Sequence, residues 1–247
     1  MLLCAGMLGA YAWPSGALLK LAAAPPLAYV LLIGSTLCSM VVGDSLYFLA
    51  AARIGVARAL PIASAFPLLT TLGAVLFLAE PATVPLLLGS AMVVVAVTLI
   101  GGERAPGGGR MDPAGLLLAG LAACLWAGSG LFLGPALTLI DPIAANMVRF
   151  PLAAVIFVVY VVGARPAETL TRRLTWLSVL AAVGTLASSI MFLSGINGAG
   201  VARGVALNAT SPAFSAVLAA VLLRERISRR AALGVTCSVV GTVLLVV

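Results

Sequence analysis

The chain has 247 residues, of which 63% are hydrophobic and only 9% are charged. A soluble domain is about 45–50% apolar and about 25% charged, so this composition excludes an ordinary soluble domain and indicates an integral membrane protein. The net charge of +7 does not indicate nucleic-acid binding, because no basic face is interleaved with stacking aromatics.

Nine apolar segments, each near the length of about 17–25 residues that crosses a bilayer, follow one another along the chain. They run approximately over 1–19, 27–52, 59–79, 84–101, 113–134, 142–163, 175–195, 204–223 and 231–247. Runs such as "AMVVVAVTLI" do not alternate between apolar and polar residues, so helices are favoured over strands. The sequence therefore predicts an all-α integral membrane fold with nine transmembrane helices.

The longest break between these segments is "GGERAPGGGRMDP" (101–113), which is rich in glycine and charge. Such a composition is typical of a flexible linker. It divides the chain into a first half over 1–102 with four helices, a linker over 103–112, and a second half over 113–247 with five helices.

The two halves share a phrase at a constant offset of 145 residues. "GVARALPIASAFP" (55–67) corresponds to "GVARGVALNATSP" (200–212), Glu80 to Glu225, and Gly89 to Gly234. Chance does not readily place Arg, Pro, Glu and Gly in register, so we infer a duplication. A five-helix repeat reverses its membrane orientation from one copy to the next, which is the inverted-repeat plan of many secondary transporters.

Residues 43–100 and 200–247 resemble the EamA family of the drug/metabolite transporter superfamily, through these matched prolines, glutamates and glycines. The resemblance implies ten helices and the transport of small metabolites or drugs, commonly outward. Only nine are predicted here, because the first half lacks a counterpart of 113–134. We expect either a start at an internal methionine or the loss of the first helix.

The residue inventory argues against an enzyme and against ATP-driven transport. The chain contains no histidine, its four cysteines are scattered, and it has no GxxxxGK phosphate loop, so the usual general base, metal site and nucleotide site are missing. We expect no cofactor, no metal and no signal peptide.

Eleven arginines fall on one side of the nine helices, against Lys20 and Arg203 on the other. This bias predicts a cytoplasmic N-terminus and an external C-terminus, whereas the resemblance implies a cytoplasmic C-terminus.

Charges inside membrane helices are costly and mark functional sites. Asp44 is a candidate proton carrier, and Arg149 could bind a carboxylate or phosphate of a substrate. The alternatives are that Asp44 only satisfies backbone or hydroxyl groups, and that Arg149 reaches the headgroups or pairs with Asp44. The offset places Ser189 opposite Asp44, so the charge belongs to one half only.

A second candidate region surrounds the two matched prolines. Each is expected to interrupt its helix and free the carbonyl four residues back, at Ala63 or Asn208, which needs a polar surrounding inside a membrane. The alternative is that nearby Ser and Thr satisfy only their own helix. The full set predicted for substrate binding or ion coupling is Asp44, Tyr47, Ser64, Phe66, Pro67, Trp126, Asn146, Arg149, Asn208, Thr210, Ser211 and Pro212.

The function expected from this reading is secondary active export of a small organic metabolite or drug across the plasma membrane. A flippase-like carrier of a lipid-linked or amphiphilic substrate is the first alternative, and a non-transporting membrane scaffold is the second. The expected partners are a small-molecule substrate and membrane lipids, and a homodimer is left open.

Overall fold

The structure is a computed structural model, and it describes residues 1–15, 17–101, 112–164, 172–210, 213, 214, 217 and 229–246. All regular secondary structure in these ranges is helical. The helices are α1 (Leu2–Ser15), α2 (Ala17–Ala22), α3 (Pro26–Ile54), α4 (Val56–Ala63), α5 (Phe66–Phe77), α6 (Val84–Gly101), α7 (Pro113–Leu137), α8 (Pro142–Ala164), α9 (Arg172–Ala199), α10 (Val201–Asn208) and α11 (Arg229–Val246).

Four of these helices contain an apolar stretch long enough to cross a membrane. These stretches are Pro26–Ile54, Pro113–Leu137, Pro142–Tyr160 and Trp176–Ala199. Shorter apolar stretches occupy Leu2–Tyr11, Phe66–Phe77, Val84–Leu99 and Ala232–Leu245. The protein is therefore a multi-pass helical membrane protein, while the count of nine spans stays a prediction.

Two of the predicted helices differ from the structure. The segment 1–19 contains α1 and the start of α2, and Gly16 between them lies outside the described residues. The segment 59–79 is two helices, α4 and α5, separated by a turn at Ser64 and Ala65. The segment 204–223 begins earlier than predicted, as α10, and most of 211–228 lies outside the described residues.

The core lies between α3, α7, α8, α9 and α10, where Leu32, Leu133, Leu193 and Val205 are fully or almost fully buried. Beside it, α6 and α11 pack closely through small residues. A Cβ on Gly89 would lie 2.9 Å from the Gly241 carbonyl oxygen. Small residues permit this close approach, which drives helix association where lipid is as apolar as the side chains.

Two ion pairs identify the two ends of the helix bundle. Arg53 Nη1 lies 3.2 Å from Asp112 Oδ2 at the start of α7, and Lys20 Nζ lies 3.7 Å from Asp141 Oδ2 just after its end. The Arg53 hydrogen bond holds the pKa of Asp112 below its usual range. Because α7 has 25 residues and rises about 1.5 Å per residue, these ends are about 37 Å apart. We call them the Arg53 end and the Lys20 end.

Candidate functional site

The middle of α3 contains a π-helical segment, Leu37–Gly43, followed directly by Asp44. A π-helical turn is rare and frequently occurs at functional sites, because the extra residue redirects the side chains that follow it. Asp44 lies ten residues before the end of α3 at Ile54, which places it about 15 Å from the Arg53 end. The carboxylate is therefore near the middle of a bilayer about 30 Å thick.

The Asp44 carboxylate is held by a tryptophan of α7. Trp126 Nε1 donates a hydrogen bond of 3.0 Å to Asp44 Oδ1. The indole reaches the carboxylate because the preceding residue, Gly43, has no side chain: a Cβ there would lie 2.8 Å from Trp126 Cδ1 and closer still to the Cys38 carbonyl oxygen. The glycine is thus part of the site.

Aromatic rings of three helices meet at the tryptophan that binds this carboxylate. The Tyr47 ring centroid lies 5.4 Å from that of Trp126, and the Phe66 centroid lies 5.7 Å from Trp126 in an edge-to-face arrangement. Such separations are favourable for aromatic pairs. Asp44, Tyr47, Phe66 and Trp126, all predicted site residues, therefore form one cluster between α3, α5 and α7, which we call the aspartate cluster.

Arg149 on α8 is almost completely buried, with 3% of its surface exposed. Its Nη2 donates to Ser39 Oγ at 3.2 Å, and Ser39 lies in the same π-helical segment that precedes Asp44. Its Nε has no hydrogen-bond partner. The arginine therefore does not extend to the headgroups, because its side chain is enclosed by protein.

Asp44 and Arg149 interact electrostatically without touching. Ion pairs within 4 Å in the described parts of the chain are Lys20–Asp141 and Arg53–Asp112. The two intramembrane charges are opposite in sign, but they form no direct pair. Each of the two charged side chains therefore remains able to interact with a ligand or an ion.

Asn146 lies one helical turn before Arg149 and is completely buried. Its Oδ1 accepts a hydrogen bond of 2.9 Å from Ser189 Oγ on α9, and its Nδ2 has no partner. Ser189 is the residue that the 145-residue offset places opposite Asp44. We call Asn146, Arg149, Ser39 and Ser189 the arginine cluster.

The predicted residues around the matched prolines are arranged differently from the sequence-based expectation. Pro67 lies in the first turn of α5, directly after the turn that follows α4, so the predicted interruption of the segment 59–79 is present but is a complete break between two helices. The first four N–H groups of a helix have no intrahelical acceptor, so proline is tolerated there. Ser64 is buried in the preceding turn, and Thr210 Oγ1 donates to the carbonyl of Leu207 in its own chain segment.

Of the remaining predicted residues, Asn208 is the last residue of α10. Ser211 and Pro212 lie outside the described residues. Ser64 and Thr210 make no hydrogen bond to the aspartate cluster. Phe66, two residues after Ser64, does contact this cluster, because its ring packs against Trp126.

Sequence reasoning missed three members of these clusters. Ser39, Gly43 and Ser189 are small residues in apolar helices, and nothing in their composition distinguishes them from packing residues. The position of Gly43 directly before the Asp44 carboxylate, and the correspondence of Ser189 with Asp44, were the available signals.

The side chain of Glu80, one of the matched glutamates, caps a helix that is distant in sequence. Its Oε1 and Oε2 accept hydrogen bonds from the backbone nitrogens of Val201 and Ala202, at 2.6 and 3.1 Å. A carboxylate at a helix N-terminus satisfies free N–H groups and the positive end of the helix dipole. Gly200 has φ +88° and would bring a Cβ within 3.1 Å of the carboxylate, so glycine is required there.

The same end of the bundle contains an open cavity of about 370 Å³. Its lining includes Glu80, Thr138, Asn197 and Gly200. Ala79 directly before the glutamate has φ +54°, a left-handed conformation that costs a non-glycine residue about 1–2 kcal/mol. The backbone strain and the two hydrogen bonds both belong to one contact between α5 and α10, at the Lys20 end.

Opposite charges on apolar spans, here the partly buried Asp44 and the buried Arg149, are typical of membrane proteins that move ions or polar solutes. Comparison with known proteins specifies this class further. The chain matches the EamA-like transporter family over residues 1–102 and 113–247, and it belongs to that family. Members of this family are generally not enzymes.

Two relatives illustrate the extent of the similarity. An uncharacterized transporter of Archaeoglobus fulgidus is 27% identical over 216 residues, which cover 87% of this chain and 75% of the relative. A protein of known crystal structure has a TM-score of 0.65 and 20% identity, covering 98% of this chain and 93% of the other. At that identity the second likeness establishes the shared fold alone.

Proposed function

We propose that this protein is a secondary active transporter that exports a small organic metabolite or drug across the plasma membrane by alternating access. The proposal depends on two oppositely charged side chains in membrane-spanning helices, the partly buried Asp44 and the almost completely buried Arg149, which form no direct ion pair. Charges in this position are costly to maintain and are typical of substrate or ion pathways.

The alternating movement is supported by a matched feature of the two halves. Gly55 and Gly200 both have positive φ, at 81° and 88°. Each begins an eight-residue helix, Val56–Ala63 or Val201–Asn208, and each helix ends in a turn. Short helices bounded by a glycine and a turn are natural hinges, because the boundary residues absorb changes in φ and ψ. Equivalent hinges in two inverted halves would allow the halves to exchange conformations.

Asp44 is the candidate for coupling to protons. Its Oδ1 already accepts from Trp126 Nε1, and a neutral carboxyl group can keep that bond through its carbonyl oxygen while Oδ2 holds the proton. Protonation therefore changes the charge beside Arg149 without breaking the contact with Trp126. A proton-coupled carrier needs such a change in charge, because the protonated protein must favour a different conformation from the deprotonated protein.

The test uses the full chain in proteoliposomes that contain pyranine. Pools of amino acids, organic acids and nucleosides are added outside, and internal pH is followed with and without an imposed pH gradient. The unmodified protein should move protons in response to at least one pool. Asp44→Asn should abolish that response, while Asp112→Asn, which removes an exposed carboxylate at the Arg53 end, should retain it. Equal responses of Asp44→Asn and the unmodified protein would remove the coupling role.

The alternative substrate is an amphiphile. An apolar groove of about 360 Å³ lies between α11 and the three residues Ala213, Phe214 and Val217, and Val235 and Val239 of α11 line its other side. A flippase should accelerate the movement of a fluorescent phospholipid between leaflets of the same proteoliposomes, and a dithionite quenching assay measures this. Lipid movement that is insensitive to Asp44→Asn, together with no response to any soluble pool, would favour the flippase.

A further inference from the structure

Two nitrogen atoms buried on one face of α8 have no hydrogen-bond acceptor. They are Asn146 Nδ2 and Arg149 Nε, in side chains that are 0% and 3% exposed. Residues three apart on a helix lie on the same face, so both donors are presented to the same neighbourhood. A buried donor without an acceptor carries the full cost of its desolvation, and a charged donor carries more. Two such donors on one face indicate an acceptor that is absent from the chain itself.

The rest of each side chain is already fixed. Asn146 Oδ1 accepts from Ser189 Oγ at 2.9 Å, and Arg149 Nη2 donates to Ser39 Oγ at 3.2 Å. These contacts with α9 and α3 orient the amide and the guanidinium, which leaves the amide NH₂ group and the Nε edge of the guanidinium for a ligand. Such fixed orientation is what binding sites require, because little freedom is lost when the ligand arrives.

The charge and the number of free donors match a carboxylate. The Arg149 charge has no direct carboxylate partner among the described residues, so a ligand with one negative charge would neutralise it. A carboxylate offers two acceptor oxygens in a plane, which suits an arginine edge and a neighbouring amide. A phosphate would bring additional oxygens and up to a second charge, for which these two donors supply no partner.

We infer that Asn146 and Arg149 bind the carboxylate of a small organic anion, an inference that rests on the transport function proposed above and specifies its substrate class. Arg149 Nε donates to one carboxylate oxygen and Asn146 Nδ2 donates to the other. The organic body extends toward the aspartate cluster, because Ser39 and Gly43 in one π-helical segment contact Arg149 and Trp126 respectively. Arg149 lies seven residues into α8, about 10 Å from the Lys20 end.

Binding can be measured on the purified full chain in detergent, without transport. Acetate, benzoate and phenylacetate are each compared with the corresponding amide, which has nearly the same shape and no charge, and with inorganic phosphate. We expect at least one carboxylate to raise the melting temperature with a saturable dependence on concentration, and its amide and phosphate to require at least tenfold higher concentration. Equal effects of every acid and its amide, or no effect of any acid, would overturn the inference.

Variants of the two donors test the assignment. Arg149→Gln should abolish the preference for carboxylate over amide, whereas Arg53→Gln, which removes an exposed arginine at the opposite end, should preserve it. Asn146→Asp places a carboxylate beside Arg149, so it should raise the melting temperature of the ligand-free protein and abolish stabilisation by added carboxylates. Asn146→Asp carries the test if Arg149→Gln does not fold. A normal carboxylate response in Asn146→Asp would refute the assignment.

Flux measurements separate this inference from the transport function. If carboxylates bind specifically but no solute is transported, the inferred anion site is supported and the proposed transport function is rejected. Flux of an uncharged solute that Arg149→Gln leaves unchanged, without carboxylate binding, would keep transport and reject the anion site.

Discussion

A methyl group at position 43 should disturb the aspartate cluster directly. In Gly43→Ala the new Cβ would lie 2.8 Å from Trp126 Cδ1 and 2.9 Å from Nε1, and closer still to the Cys38 carbonyl oxygen. Real Cβ atoms do not approach other atoms below 3.0 Å. The indole must therefore move away from α3, and its hydrogen bond to Asp44 must lengthen or break.

The size of the effect follows from these contacts. Overpacking of a well-filled interior costs about 1–3 kcal/mol, and a lost hydrogen bond to a charged group costs about 1.5–3 kcal/mol. Relief of the clash breaks the bond, so the two costs overlap and do not add. We expect about 2–3 kcal/mol in total. Each kcal/mol lowers the melting temperature of a chain of this size by about 2–4 °C, so the loss should be several degrees.

The matched control is Gly128→Ala on α7, two residues from Trp126, where a Cβ would have no neighbour within 4 Å. Melting is followed by size-exclusion chromatography after heating in detergent, and the environment of Trp126 by tryptophan fluorescence in a background that carries Trp13→Phe and Trp176→Phe. Gly43→Ala should melt several degrees lower with a shifted Trp126 emission, while Gly128→Ala should match or exceed the unmodified protein. An unchanged melting temperature and emission in Gly43→Ala would show that the close approach of Trp126 is not required.

Two further predictions concern the ends of the bundle. Glu80→Gln removes the charge from the cap of α10 and keeps one acceptor oxygen for Val201 N or Ala202 N, so it should cost about 1 kcal/mol, measured as a lower melting temperature. A melting temperature equal to that of the unmodified protein would show that the cap is not stabilising. The arginine bias predicts an external C-terminus, so alkaline phosphatase fused after Val247 should be active and a green fluorescent protein there dark. The opposite pattern would show that the orientation is reversed.

The apolar segments that lie between clear breaks could be predicted well. The segments 84–101, 113–134 and 142–163 correspond to α6, α7 and α8 within three residues at each end. Bilayer thickness sets the length of such a segment, and proline begins two of the three helices directly after an aspartate. Segment length, composition and the position of proline after aspartate are sufficient to predict these three helices, because a helix in lipid satisfies all of its backbone hydrogen bonds within the segment itself.

Three polar members of the two clusters, though not Ser39 and Ser189, were predicted for a related reason. Asp44, Arg149 and Asn146 are conspicuous because a charge or amide in an apolar run is expensive in a membrane. The family could also be predicted, since matched proline, glutamate and glycine residues do not arise from apolar composition alone. These inferences required only the types of residues and their spacing along the chain.

The tertiary structure determines which partners these residues contact. Trp126 reaches Asp44 across 82 residues and Glu80 reaches Val201 across 121 residues, and no local pattern encodes either contact. The π-helical segment at Leu37–Gly43 and the turn at Ser64–Ala65 likewise appear only in the folded chain. In each case the backbone departs from a regular helix so that a side chain can meet a partner on another helix. The amino-acid sequence thus determined which segments are helical and which charges they contain, whereas packing between helices determined where those charges point.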